Sequence, residues 1–141
     1  MDKVDLKIIE TLKQNSRFSI KEIAKKTGIP MTTVHYRLKN MQKANAITFT
    51  ARADRKYVER ELVTYVLVKA MPGVKHQKLF DQIMERPEVE SGSIITGDFD
   101  LIFMASVKNM DRLNDFVLKY LRTNHEVAET RTMISYETRE K

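Results

Sequence analysis

The sequence predicts an α+β chain of two modules, three short helices followed by a β-α-β-β-α-β unit. Three observations predict it. Apolar residues recur at helical spacing through the first part of the chain. The second part alternates long apolar runs with helical stretches punctuated by Pro and Gly. Charge divides between the two: residues 1–60 carry 14 Lys and Arg against 6 Asp and Glu, a net +8, and residues 61–141 carry 11 against 13, a net −2.

In the first module Val4, Ile8, Ile9 and Leu12 mark one helix face, with Asp5 favourable in the first turn. Asn15 and Ser16 interrupt the pattern. Ser19 followed by Glu22 forms a capping box ahead of Ile20, Ile23 and Ala24. Gly28 stops this second helix by permitting a left-handed turn. Pro30 suits a helix opening because it brings no N–H to leave unpaired. A third helix is expected over residues 31–43, with Val34, Leu38 and Met41 inward. At about 100° per residue, Thr32, Tyr36, Lys39 and Lys43 lie opposite that stripe, and Thr33 and Asn40 sit at its edge.

Two helices joined across a glycine turn, the second polar and basic outside, describe a helix-turn-helix. The β-prone Ile47, Thr48, Phe49 and Thr50 add an expected wing strand, so residues 1–50 read as a winged helix-turn-helix domain. A basic module beside a nearly neutral one fits an electrostatic grip on nucleic acid. A solvated basic surface is the competing reading. Residues 51–61 are polar and aperiodic, a linker with room for one helical turn.

In the second module, residues 62–71 (LVTYVLVKAM) form a continuous apolar strand broken by Pro72 and Gly73. Leu79, Phe80, Ile83 and Met84 mark a helix ended by Pro87. A strand over 89–96 turns at Gly97 and Asp98 into a second apolar run, 101–107. Asn109 can cap a helix carrying Leu113, Phe116, Val117, Tyr120 and Leu121, and residues 127–136 close as an alternating strand. Two split β-α-β units make a ferredoxin-like sandwich over residues 62–141, with the first and third strands central. Those are the two most apolar runs. The crossover rule puts both helices on one face. Val63, Tyr65 and Leu67 then alternate with Thr64, Val66 and Val68, so both faces of the first strand are apolar. An uncovered apolar sheet face predicts a homodimer built sheet to sheet.

Composition excludes other classes. The 141 residues are 42% apolar and 31% charged, as in a folded soluble protein. The absence of cysteine removes disulfides and thiol chemistry and points to a reducing, cytoplasmic setting. No apolar run approaches the roughly 18 residues of a membrane helix, and the charged, periodic start MDKVDLKIIE does not read as a secretion signal. His35, His76 and His125 are isolated, and no HExxH, P-loop, GxGxxG or GxSxG occurs. His76 and His125 read as surface residues; His35, on the flank of the third helix, can touch DNA, pack against neighbours or face solvent. No metal, cofactor or catalytic role is expected. Small hydrolases such as acylphosphatases share this topology, but the Arg-plus-Asn loop pattern of such an enzyme is not evident. A different alternative is a ligand-sensing or assembly module whose basic half contacts protein partners.

The ordered motifs Asp5-x-x-Ile8-Ile9-x-x-Leu12, Asn15-x-Arg17, Glu22-Ile23-Ala24, Gly28-Ile29, Val34-x-x-Arg37-Leu38-x-x-Met41 and Thr96-Gly97-Asp98-Phe99-Asp100-Leu101, with Thr130-Arg131-Thr132 on the last strand, resemble the Lrp/AsnC family of transcription regulators over essentially the whole length. Pro30 stands where that family commonly has a capping Ser, and Ala46 where it has Gly. The resemblance implies a C-terminal RAM domain and dimers that often assemble further, commonly to octamers. It also implies a small effector, usually an amino acid, near the glycine-aspartate turn. Carried over, Gly97, Asp98, Asp100 and Thr132 become effector-binding candidates.

On this reading each dimer presents two copies of the third helix to successive major grooves of double-stranded DNA, about 34 Å apart. Thr32, Thr33 and Tyr36 reach base edges, with a phosphate the alternative partner for Tyr36. Arg37, Lys39 and Lys43 hold phosphates, and Arg52 and Arg55 add to the positive field.

Overall fold

The computed structural model describes residues 2–139, which separate into two compact units that divide between Arg52 and Ala53. The first contains α1 (Lys3–Gln14), α2 (Ile20–Thr27) and α3 (Met31–Lys43). Asp2 is the N-cap of α1. Its carboxylate accepts the N–H of Val4 at 2.9 Å and of Asp5 at 3.0 Å. The Asp5 carboxylate in turn accepts the Asp2 N–H at 3.2 Å, closing a capping box. Ser19 and Glu22 make the expected box at α2. Gly28 ends α2 in the left-handed region at φ 73°, where a side chain would be strained. Pro30 occupies the N-cap of α3 and supplies no side-chain hydrogen bond. The helices enclose a core of Ile8, Leu12, Ile23, Val34 and Met41, with Leu38 and Ile47 packed at its edge.

Residues 47–50 do not form the wing strand that their β-propensity predicts. A strand needs a ladder partner. Among the described residues the one sheet belongs to the second unit and does not include this segment.

The second unit contains β1 (Leu62–Ala70), α4 (His76–Met84), β2 (Val89–Ile94), β3 (Leu101–Val107), α5 (Met110–Asn114) and β4 (Val127–Ile134). Asn109 caps α5 by accepting the Arg112 N–H at 3.1 Å. The helix continues as a π-helical stretch, Asp115–Leu121. Its wider turn keeps Phe116 and Leu121, five residues apart, on the same buried side.

The sheet order is β2-β3-β1-β4 with every neighbour antiparallel, so β1 and β3 are central as expected. Val66, Val68, Leu101 and Phe103 pack beneath Leu79, Ile83, Phe116 and Leu121. Tyr65, Leu67, Ile102 and Met104 alternate with these inward residues and are only partly buried. Gly92 of β2 is demanded by packing: a Cβ there would lie 2.6 Å from the Phe103 ring.

The sheet carries two register shifts. The β2–β3 ladder shifts between Val89 and Ser91, which makes Glu90 the extra residue. The β1–β4 ladder shifts between Lys69 and Ala70.

Candidate nucleic-acid interface

The outward face of α3 follows from its inward one. Val34 and Met41 are buried, which turns Thr32, Tyr36, Lys39 and Lys43 to solvent. Tyr36 is 64% exposed, unusual for a large aromatic ring. No carboxylate lies within ion-pair distance of Lys39 or Lys43 among the described residues, so both ammonium groups are available to an external anion. Thr33 is half-buried at the flank, and His35 is exposed on the other flank.

Arg37, expected at a phosphate, makes contacts within the first unit. Its Nη1 lies 2.7 Å from Asp2 Oδ2 and 3.4 Å from Asp5 Oδ1. One end of the guanidinium is therefore engaged with α1. Hydrogen bonding from the Asp5 N–H, and then the Arg37 charge, hold the Asp2 carboxyl below its usual range. Beside this cluster is an open cleft of about 480 Å³ that Tyr36, Asn40, Arg37 and Asp5 help to line. Asp2 gave no signal in the sequence beyond being an acid before a helix.

Arg52 ends the first unit. Arg55 belongs to the second and is likewise redirected: its Nη2 lies 2.5 Å from Glu90 Oε2. Glu90 also accepts the Ser106 hydroxyl proton. Arg60 Nη1 donates to the Pro87 carbonyl at 2.8 Å, and Lys108 Nζ lies 2.6 Å from the Glu59 carboxylate. The segment read as a linker is thus fastened to the sheet.

The glycine-aspartate turn joins β2 to β3. Gly97 has φ 114° and open space where a Cβ would point, and Asp98 is exposed. Asp100 does structural work. Its Oδ2 accepts the Ala70 N–H at 2.8 Å, on the β3 side of β1 just beyond the last ladder pair, Val68 with Leu101. Its Oδ1 lies 3.8 Å from His76 Nε2. Thr132 pairs with Val66 and so projects from the helix-packed side of the sheet. The adjacent Arg131 pairs with Leu67 on the opposite side and stacks its guanidinium 5.0 Å from the centre of the buried Phe99 ring. From β4, Arg131 is the side chain that stacks on Phe99 of the turn. Alternation alone could not reveal this, because the register decides which of two neighbours faces which side.

No helix is long and apolar enough to cross a membrane among the described residues. Residues 1–48 match the winged helix-turn-helix DNA-binding family, and residues 63–141 match the Lrp/AsnC ligand binding domain. The chain is 34% identical to an uncharacterised HTH-type transcriptional regulator of Pyrococcus abyssi, covering 98% of this chain and 94% of that one. It is 30% identical to the HTH-type transcriptional regulator FL11 of Pyrococcus furiosus, covering 95% and 88%. Its fold matches that of a transcriptional regulator of Neisseria meningitidis solved as an L-Met complex, with TM-score 0.90, 23% identity and coverage of 100% and 93%. It also matches Escherichia coli AsnC, with TM-score 0.88, 21% identity and coverage of 100% and 95%. These families regulate transcription and are not catalytic. A helix-turn-helix unit matching the one family model and a βαββαβ unit matching the other, both within one chain, identify it as a member of the Lrp/AsnC family of DNA-binding transcriptional regulators.

Proposed function

We propose that the chain is a sequence-specific regulator that binds duplex DNA as a homodimer in the cytoplasm, with residues 1–50 reading DNA, 51–61 linking, and 62–141 assembling the protein and sensing an effector. The exposed side of α3 carries this reading. Tyr36, Thr32 and the half-buried Thr33 reach base edges from its N-terminal half. Lys39 and Lys43 hold phosphates and set register. The partly buried Tyr65, Leu67, Ile102 and Met104 form the surface by which two copies pair, a step toward larger assemblies up to the octamer. The likeness to a regulator solved with L-Met supports an amino-acid effector. Gly97, Asp98 and Arg131 are the groups at the turn suited to its backbone, amine and carboxylate contacts.

Selection of bound sites from random duplex, with and without a panel of amino acids, tests this reading. A recovered pseudo-palindromic site, bound with an affinity that falls steeply as salt rises, is the expected result. Failure to bind any duplex in dilute buffer overturns it in favour of a protein-contacting basic half. Light scattering on the same samples reports assembly, and a stable single-chain species overturns the dimer.

A further inference from the structure

We infer that Arg37 is a positioning residue of DNA recognition, tethered by Asp2 and Asp5 so that α3 keeps a fixed roll beneath its reading face. The inference rests on the DNA-binding reading of α3 and adds what aims that helix. Three observations carry it. First, the tether joins the middle of α3 to the capped start of α1, with Nη1 2.7 Å from Asp2 and 3.4 Å from Asp5. The two acids are themselves interlocked by the capping box, so the anchor is rigid. Second, α3 lacks a side-chain cap at its start, where Pro30 stands. Burial of Val34, Leu38 and Met41 sets which face of α3 is outward, and the ion pair at Arg37 narrows the roll that this packing still allows. Third, Tyr36 lines the same cleft as Arg37 and Asp5, so a reader stands directly beside the tether.

A roll of about 20° carries a side-chain tip, some 5–6 Å from the helix axis, through about 2 Å. That displacement is more than a hydrogen bond to a base edge tolerates. An ion pair at position 37 opposes such a roll. It also explains why a DNA-binding unit keeps two carboxylates beside its recognition helix, where they would otherwise repel phosphates.

The experiment measures the full-length protein on its selected site and on random duplex across a salt series. Arg37→Gln is expected to lower the site-to-random affinity ratio about tenfold, as when one base contact is misplaced, and to leave the salt slope unchanged. A slope reduced by about 0.9 with the ratio intact means that Arg37 holds a phosphate, and overturns the proposal. Asp5→Asn separates the two accounts by sign. Positioning predicts a fall in the ratio, with no further fall in the double variant. A freed phosphate-binding arginine predicts tighter binding to both duplexes, which overturns the proposal. Loss of heat stability with an unchanged ratio overturns it as well. If Asp5→Asn unfolds the first unit, Asp2→Asn retains a capping side chain while removing one acid of the tether, and carries the same expectation of a reduced ratio. Wild-type protein that binds no duplex refutes the DNA reading itself; wild-type binding with variants that keep their ratio refutes the tether alone.

Discussion

The Arg55 guanidinium meets the Glu90 carboxylate at 2.5 Å, a link between residues 35 apart in the chain. Its origin is the register shift in β2, which leaves Glu90 outside the ladder and free to turn toward Arg55 and Ser106. The segment that follows the helix-turn-helix is therefore anchored on the sheet's outer strand.

Acid should release this anchor. Hydrogen bonds from Arg55 first, and from the Ser106 hydroxyl, hold the Glu90 carboxyl below its ordinary value of 4.5. A depressed folded pKa contributes stability above the unfolded value, and that contribution disappears as pH falls through the folded value. Thermal melts of wild type and Glu90→Gln, taken from pH 7 downward, should converge below about pH 4.5. Curves that stay parallel would show that Glu90 titrates alike in both states.

Gly92→Ala should destabilise the second unit by about 1–3 kcal/mol, because the new methyl overlaps the Phe103 ring in a full core. Urea unfolding measures the loss. Pairing it with Phe103→Leu should cost less than the sum of the single changes, since the smaller side chain vacates the contested space.

The two acids of the turn should behave differently. Asp100→Ala strands the buried Ala70 N–H and should cost about 1–3 kcal/mol of folding stability. Asp98→Ala, at an exposed position, should change stability by less than about 0.5 kcal/mol. If Asp98 meets the effector, calorimetric titration with amino acids will register its loss instead.

On the recognition helix, Tyr36→Ala should weaken binding to the selected site by about 1–3 kcal/mol. Lys39→Ala should lower affinity for all sequences alike and reduce the salt slope by about one. Mobility-shift titrations at several salt concentrations separate the two. An unchanged slope would mean that Lys39 meets no phosphate.

Much of the fold was legible because its signals are local. Ser19, Glu22, Gly28 and Pro30 mark helix limits by their own chemistry, and the structure places each at a cap. The apolar runs of β1 and β3 announced their central places, since strands covered on both edges bury more surface. What escaped was set by distant partners. Arg37 and Arg55 read as outward cations because nothing near them in sequence identifies Asp2, Asp5 or Glu90 as their counter-ions. The sides that Arg131 and Thr132 face depend on pairing with β1, which the sequence alone does not fix. Residues 47–50 have strand-forming side chains but no strand beside them.

The two separate cores differ in size, and heat should expose the difference. Among the described residues, the helical unit encloses 5 apolar side chains and the sheet unit 13. Small interiors leave little surplus over chain entropy. Warming should therefore melt the molecule in two steps, the helical unit first. Between the two transitions a calorimeter would hold a species that has let go of DNA yet remains associated with its own copies.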